Sequence, residues 1–133
     1  MRYTNPSGYV YYDNEPELCH ELEKNFLKDF FEDNWRPILY LTKEVWIGRN
    51  ERIDYFGIKD KKETYIEVKN WKVHSEDMEQ ILRYKSKIQK TAFYVICGFI
   101  YKDRRKILEN LDIKIILTKD IKEINPMELV HWM

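Results

Sequence analysis

The sequence predicts an α/β fold in which a central mixed β-sheet is flanked by helices, with a core order of helix, three strands, helix, strand. Three observations predict it. Apolar residues recur at helical spacing from Leu18 to Phe30 and again from Met78 to Ile88. Between them, strand-forming stretches are punctuated by Gly48-Arg49-Asn50 and by Asp60-Lys61-Lys62, the pattern of a three-stranded meander. After the second periodic stretch comes a near-continuous apolar run, Ala92–Phe99, typical of a strand buried on both faces.

The elements follow in order. Residues 1–13 form a tyrosine-rich N-terminal arm (Tyr3, Tyr9, Tyr11, Tyr12) broken by Pro6 and Gly8. An edge strand, a dimer contact and a DNA-facing flap all fit that composition. Asn14 reads as a helix N-cap, with Glu17 in the capping-box position and Pro16 tolerated in the first turn. Leu18, Leu22, Phe26 and Phe30, widened by Cys19 and Leu27, make the apolar stripe of a helix expected to end near Asn34. Glu23 lies near the middle of this arc. A carboxylate facing inward must be paired, protonated or bound to metal, because burying it bare costs several kcal/mol. Glu21 sits nearer the solvent side.

Residues 37–47, 52–59 and 63–69 read as three strands. Because strand side chains alternate, Tyr65, Glu67 and Lys69 share one face while Ile66 and Val68 take the other. Residues 70–75 read as a polar loop carrying Trp71 and Lys72. The second helix runs from 76 to about 90, with Gln80 and Tyr84 one turn apart beside its apolar face. A short helix at 103–110 opens on the basic run Lys102, Arg104, Arg105 and Lys106, a pattern more often solvated than DNA-facing. A strand at 113–117 and a C-terminal tail at 119–133 complete the chain. Strands joined by a helical crossover are expected to lie parallel, which makes the sheet mixed.

The 133 residues suit a single domain with one core. Basic and acidic residues balance at 23 each, which argues against a nonspecific nucleic-acid coat but leaves room for an enzyme whose acidic residues offset basic phosphate contacts. No apolar segment is long enough to cross a bilayer, and the N-terminus lacks a signal peptide's apolar centre. The expectation is a soluble, intracellular (cytoplasmic) protein without a membrane partner. Cys19 and Cys97 lie far apart in apolar stretches, without a Cys-x-x-Cys or clustered histidines, so buried reduced thiols are expected rather than a zinc site.

Chemistry concentrates in one hairpin, Arg52 to Lys69. Asp54 on one strand and Glu67-x-Lys69 on the next supply two carboxylates and an ammonium. Hydrolysing a phosphodiester needs an activated water and neutralised phosphate charge. Mg²⁺ or Mn²⁺ suits hard oxygen ligands, here Asp54, Glu67 and the Val68 carbonyl. Lys69, on the Glu67 side, could orient the water or offset phosphate charge. The same spacing also fits a cross-strand salt bridge on a solvated face. Arg49 and Arg52 flank the hairpin as candidate phosphate contacts, beside Lys72. Trp71 is a candidate for stacking on bases.

With Leu22-Glu23-Lys24-Asn25-Phe26-Leu27 ahead of the hairpin and Gln80-x-x-x-Tyr84 after it, residues 22–99 resemble the PD-(D/E)xK nuclease superfamily. They resemble in particular the NucS/EndoMS-type endonuclease catalytic domain, and archaeal Holliday-junction resolvases look similar around the first helix and the hairpin. Ile53 stands where the superfamily's name has proline, and on this reading the chain lacks the separate N-terminal domain of NucS-type enzymes. The resemblance implies a restriction-endonuclease-like fold. It implies metal ligation by Asp54 and Glu67, water or phosphate work for Lys69, completion of the acidic cluster by Glu23, and support of the site or phosphate contact by Gln80 and Tyr84. The expected activity is a Mg²⁺- or Mn²⁺-dependent, structure-specific DNA endonuclease in repair, recombination or mobile-element biology. A homodimer would give it paired sites for two strands. The alternative is a nuclease-like fold serving only as a DNA-binding or protein-interaction module.

Overall fold

A computed structural model of the chain describes residues 1–32, 35–37, 52–88 and 91–125. The N-terminal arm is a packed antiparallel hairpin, β1 (Arg2–Thr4) and β2 (Val10–Tyr12). Asn5 Oδ1 accepts from the backbone of Ser7 and Tyr9 to hold the turn, and Gly8 takes a left-handed φ of 90° there, which glycine tolerates without penalty. Val10 and Tyr12 bury their side chains in the core.

Helix α1 (Glu15–Asn25) starts as its sequence dictates, with Asn14 Oδ1 accepting from Glu17 N at 2.9 Å. The predicted single helix is broken at Phe26 (φ −127°, ψ −50°), and a short α2 (Leu27–Phe30) follows. The break lets Leu27 and Phe31 both reach the core while Phe30 meets Tyr94 edge to face at 5.0 Å. The helical segment ends at Phe30, where Phe31 turns extended (φ −91°, ψ 145°), short of the end expected near Asn34.

Five strands form the sheet, in the order β3 (Arg36–Pro37), β4 (Tyr55–Lys59), β5 (Lys62–Lys72), β6 (Ala92–Phe99), β7 (Ile113–Leu117). The first three run antiparallel; β5, β6 and β7 run parallel, with α3 (Ser75–Lys87) and α4 (Lys102–Asn110) as crossovers. The mixed sheet is thus as expected. The rest of the strand predicted for 37–47, and Arg49, lie outside the described residues.

Two boundaries differ. β4 begins at Tyr55, because residues 52–54 bend away to deliver Asp54. Residues 70–72, expected in a loop, belong to β5: a bulge between Lys69 and Lys72 restores the pairing at Lys72↔Phe99. That bulge aims Asn70 at the hairpin, where its Oδ1 accepts from Tyr12 N at 2.8 Å and its Nδ2 donates to Tyr12 O at 2.6 Å. Asn70→Ala should therefore destabilise the protein by about 1–3 kcal/mol, since both Tyr12 backbone groups lose their partner. Hydrogen exchange should show the loss as faster exchange at the Tyr12 amide.

Each sheet face carries its own core. The hairpin, α1 and α2 set Leu18, Leu22, Leu27 and Phe31 against Ile66, Val68 and Ile96. Helices α3 and α4 set Ile81, Tyr84 and Leu108 against Phe93, Val95 and Cys97. The alternation along β6 explains why its sequence is apolar throughout. Gly57 shows how tightly β4 is covered, since a Cβ there would lie 2.6 Å from Cδ1 of the buried Phe31 ring. Gly57→Ala should lower stability by about 1–3 kcal/mol through overpacking, measurable by urea unfolding. Both cysteines are free, with burial pushing each thiol up to about 12. Among the described residues no helix is long and apolar enough to cross a membrane.

Candidate active site

Asp54 stands at the bend one residue before the last β4–β5 pair, Tyr55↔Ile66, so continuing the register sets it beside Glu67. Its Oδ2 accepts a hydrogen bond from Val68 N at 2.8 Å, in place of a ladder bond. Extended backbone points a residue's N–H and C=O to the same side, so the Val68 carbonyl faces the gap that Asp54 enters. Glu67 is only 4% exposed, and its Oε2 lies 3.2 Å from Lys69 Nζ. Its Oε1 is buried and has no hydrogen-bond donor among the described residues. Lys69 Nζ also donates to Gln80 Oε1 at 2.7 Å and lies 3.5 Å from Asp77 Oδ1.

The charges are mutually strained. Burial lifts the Asp54 carboxyl above its ordinary range, against the pull of the Val68 N–H and Lys69. Burial first, then repulsion from Asp54, pushes Glu67 well above the usual carboxylate range. For Lys69, burial works against the charge, but Glu67 and Asp77 outweigh it and hold the ammonium protonated. One ammonium does not offset two desolvated carboxylates. The donor set fits a hard divalent cation: two carboxylates, one with an orphaned oxygen, beside a backbone carbonyl. No cluster of three or more His, Cys, Asp or Glu suited to a metal forms among the described residues, and Mg²⁺, which keeps several waters, does not require one.

The remaining predicted residues fall around this centre. Tyr84 is 1% exposed and its hydroxyl accepts from Arg52 N at 3.1 Å. It props the segment that leads into Asp54. Gln80 holds Lys69, while the exposed Arg52 acts electrostatically on Asp54. Glu23 is held elsewhere: the Tyr55 hydroxyl donates to its Oε2, and it is not among the principal charges acting on Asp54, Glu67 or Lys69. The helix carboxylate that acts on Asp54 and Lys69 is Glu15, two turns earlier, itself raised by burial and then by Asp54. Trp71 lies within the β5 bulge and Lys72 at the pair that resumes after it.

Two residues of this neighbourhood were not singled out from sequence. Asp77 lies one turn before Gln80 on the Gln80–Tyr84 stripe, so extending that stripe backward finds it. Its first-turn position reads as a helix cap, and it is one, accepting from His74 N at 2.8 Å. Glu15 shares a stripe with Cys19 and Glu23, but a first-turn acid is also what any helix N-terminus favours.

No protein-family model and no curated protein sequence matches the chain. Two solved structures share its fold. A repair endonuclease from Pyrococcus abyssi superposes with a TM-score of 0.53 at 18% identity, over 79% of this chain and 46% of that one. EndoMS in a complex with double-stranded DNA superposes with a TM-score of 0.50 at 16% identity, over 77% of this chain and 43% of that one. The chain therefore spans less than half the length of either protein, and what it shares with these two structures is the α/β fold.

Proposed function

We propose that the chain is the catalytic domain of a Mg²⁺- or Mn²⁺-dependent DNA endonuclease that hydrolyses phosphodiester bonds in branched or otherwise non-standard DNA during repair, recombination or mobile-element transfer. The observation that carries this reading is the convergence of Asp54, Glu67 and Lys69. Glu67 is buried against the Lys69 ammonium with the half-buried Asp54 beside it, and among the described residues Glu67 Oε1 has no hydrogen-bond donor. A purely structural ion pair would satisfy both oxygens or leave the carboxylate in water. The likeness to endonucleases, one of them bound to DNA, supports the same reading.

In this mechanism Asp54, Glu67 and the Val68 carbonyl hold the divalent ion. A divalent ion held by these residues would supply charge neutralisation at the scissile phosphate and activation of water. Lys69 keeps its proton because Glu67 and Asp77 favour the ammonium. It therefore orients the attacking water or offsets phosphate charge rather than acting as a base. Gln80 fixes the Lys69 ammonium, Tyr84 fixes the backbone entering Asp54, and Arg52 contacts a flanking phosphate. Two-fold pairing of identical domains gives a site for each strand.

The test is cleavage of labelled duplex, mismatched, flap, single-stranded and four-way-junction DNA with Mg²⁺, Mn²⁺ or EDTA, beside the Asp54→Ala protein. The expected result is metal-dependent cutting that Asp54→Ala abolishes. Pure, folded protein that binds DNA and cuts none of these substrates would replace the reading with a binding module.

A further inference from the structure

At the end of the sheet where β6 and β7 begin, the β4–β5 turn and the starts of those two strands border a cleft of about 180 Å³. Strand register explains it. Lys62 and Thr64 share the sheet face of Ile66, and Ala92 shares that of Tyr94. Thr64 pairs with Ala92, so two short side chains lie side by side among the longer ones of Lys62, Ile66 and Tyr94. Thr64 is fully buried beneath the cleft, and its hydroxyl donates to Lys62 O at 2.9 Å, which fixes the start of β5. Asp112, one residue before Ile113, the partner of Phe93, closes the β7 side.

The rim carries three ammoniums. Lys59 and Lys62 are direct cross-strand partners, a like-charge pairing that destabilises a hairpin. Lys114 pairs with Tyr94 across the cleft, its Nζ 5.5 Å from the ring centre. Lys59 Nζ lies 4.4 Å from the centre of the Phe30 ring, which meets Tyr94 edge to face. The rings hold two of the ammoniums in place without neutralising their charge. Asp60 and Asp112 line the same cleft. Yet among the described residues no carboxylate forms an ion pair with Lys59, Lys62 or Lys114. Glu32, at the turn, accepts from Lys61 N at 3.1 Å instead.

The backbone marks the same place. Among the described residues, the left-handed residues other than glycine are Asp60 (φ 52°), Lys61 (φ 63°) and Asp112 (φ 63°), all at this end of the sheet. That conformation is unfavourable for a residue with a side chain and persists where the surroundings impose it.

Three unpaired ammoniums around a small concavity call for a compact anion with several oxygens. The cleft is smaller than the roughly 300–1,000 Å³ of pockets that take ligands of drug size, and it suits a single phosphate group. Lysine binds phosphate as a point charge, without the fixed fork of arginine. Lys62 stands five residues before Glu67, about 17 Å along β5, and faces the other side of the sheet. A DNA strand lying on the candidate active site therefore does not enter the cleft. We infer that this cleft binds the phosphate group of a small molecule, with Lys59, Lys62 and Lys114 as its cationic contacts. The site is separate from the Asp54–Glu67–Lys69 centre and does not rest on the nuclease reading.

The test is a titration of the protein with inorganic phosphate, and separately with thymidine monophosphate, in EDTA at constant ionic strength, followed by amide NMR. The amides of Thr64, Ala92 and Lys114 should shift saturably. Tighter saturation by inorganic phosphate names the free ion as ligand, and tighter saturation by the nucleotide names a phosphate monoester; either supports the site. Lys62→Glu should weaken binding by about tenfold or more. Lys114→Gln, at an exposed position that no core depends on, should weaken it in the same direction. Lys106→Glu, on the exposed side of α4, changes net charge as much as Lys62→Glu and should leave binding unchanged. Without phosphate, Lys62→Glu should melt no lower than the parent, because a like-charge pair becomes an opposite-charge one. A lower melting temperature would show that Lys62 already has a structural partner and would overturn the site. So would amides that stay still at tens of millimolar phosphate, or binding that Lys62→Glu and Lys106→Glu weaken equally. Shifts confined to Lys69 and its neighbours would place the phosphate in the candidate active site and overturn it too.

Discussion

Lys69→Ala is expected to lower the rate of metal-dependent DNA cleavage by roughly two to four orders of magnitude while leaving the fold intact by circular dichroism. Among the described residues, the ammonium is the one cation bonded into the centre, 3.2 Å from Glu67 and 2.7 Å from Gln80. Water cannot replace it, because Glu67 is almost fully buried. Some stability should be lost as well, since Glu67 and Asp77 lose their common partner. Glu67 can answer by taking up a proton, which its environment already favours, so the loss stays below that of a stranded buried charge. The two effects separate experimentally. A folding defect changes the fraction of active protein, whereas loss of the ammonium changes the single-turnover rate of folded protein. Lys69→Arg should recover little, because a planar guanidinium does not replace a compact ammonium against Gln80 and Glu67. A folded Lys69→Ala protein with undiminished cleavage would end the catalytic reading.

The fold was legible wherever a single periodicity governed a segment. β6 and β7 fall where the apolar runs predicted, and α3 and α4 within a few residues, because their patterns serve only packing. Legibility failed where one residue answers to two demands. Phe26 continues the helical stripe of α1, yet Leu27 and Phe31 reach the core only if the helix breaks there. Asn70 and Trp71 read as loop by composition, but the bulge keeps them in β5 and turns them toward the hairpin. Within the site, Asp54, Glu67, Lys69 and Gln80 meet because alternation and helical spacing fix their directions. Glu23 illustrates the limit of that logic. Its inward position was visible, but its partner, Tyr55, depends on how the helix crosses the sheet, and helical spacing does not encode a crossing angle.

Glu67→Gln should raise the melting temperature of the metal-free protein while abolishing cleavage, and the sign of that shift decides between the two readings of Glu67-x-Lys69. If the pair were a structural salt bridge, neutralising Glu67 would leave Lys69 short of a partner and lower stability. The structure favours the opposite. Burial and Asp54 together raise the Glu67 carboxyl well above its usual range, which means that they outweigh the attraction of Lys69. The charged form is therefore a burden on the fold, and glutamine removes the charge while keeping shape and hydrogen-bonding capacity. Lys69 retains Gln80 and Asp77. For a domain of this size, relief of about 1 kcal/mol corresponds to a rise of about 3–5 °C, measured by calorimetry in EDTA. Added Mg²⁺ should then raise the melting temperature of the parent, because a ligand that binds only the folded state stabilises it by mass action. It should leave Glu67→Gln unmoved. A Glu67→Gln protein that melts lower than its parent in EDTA, with neither responding to Mg²⁺, would make Glu67 a structural partner of Lys69 and take away the central ligand of the proposed metal site.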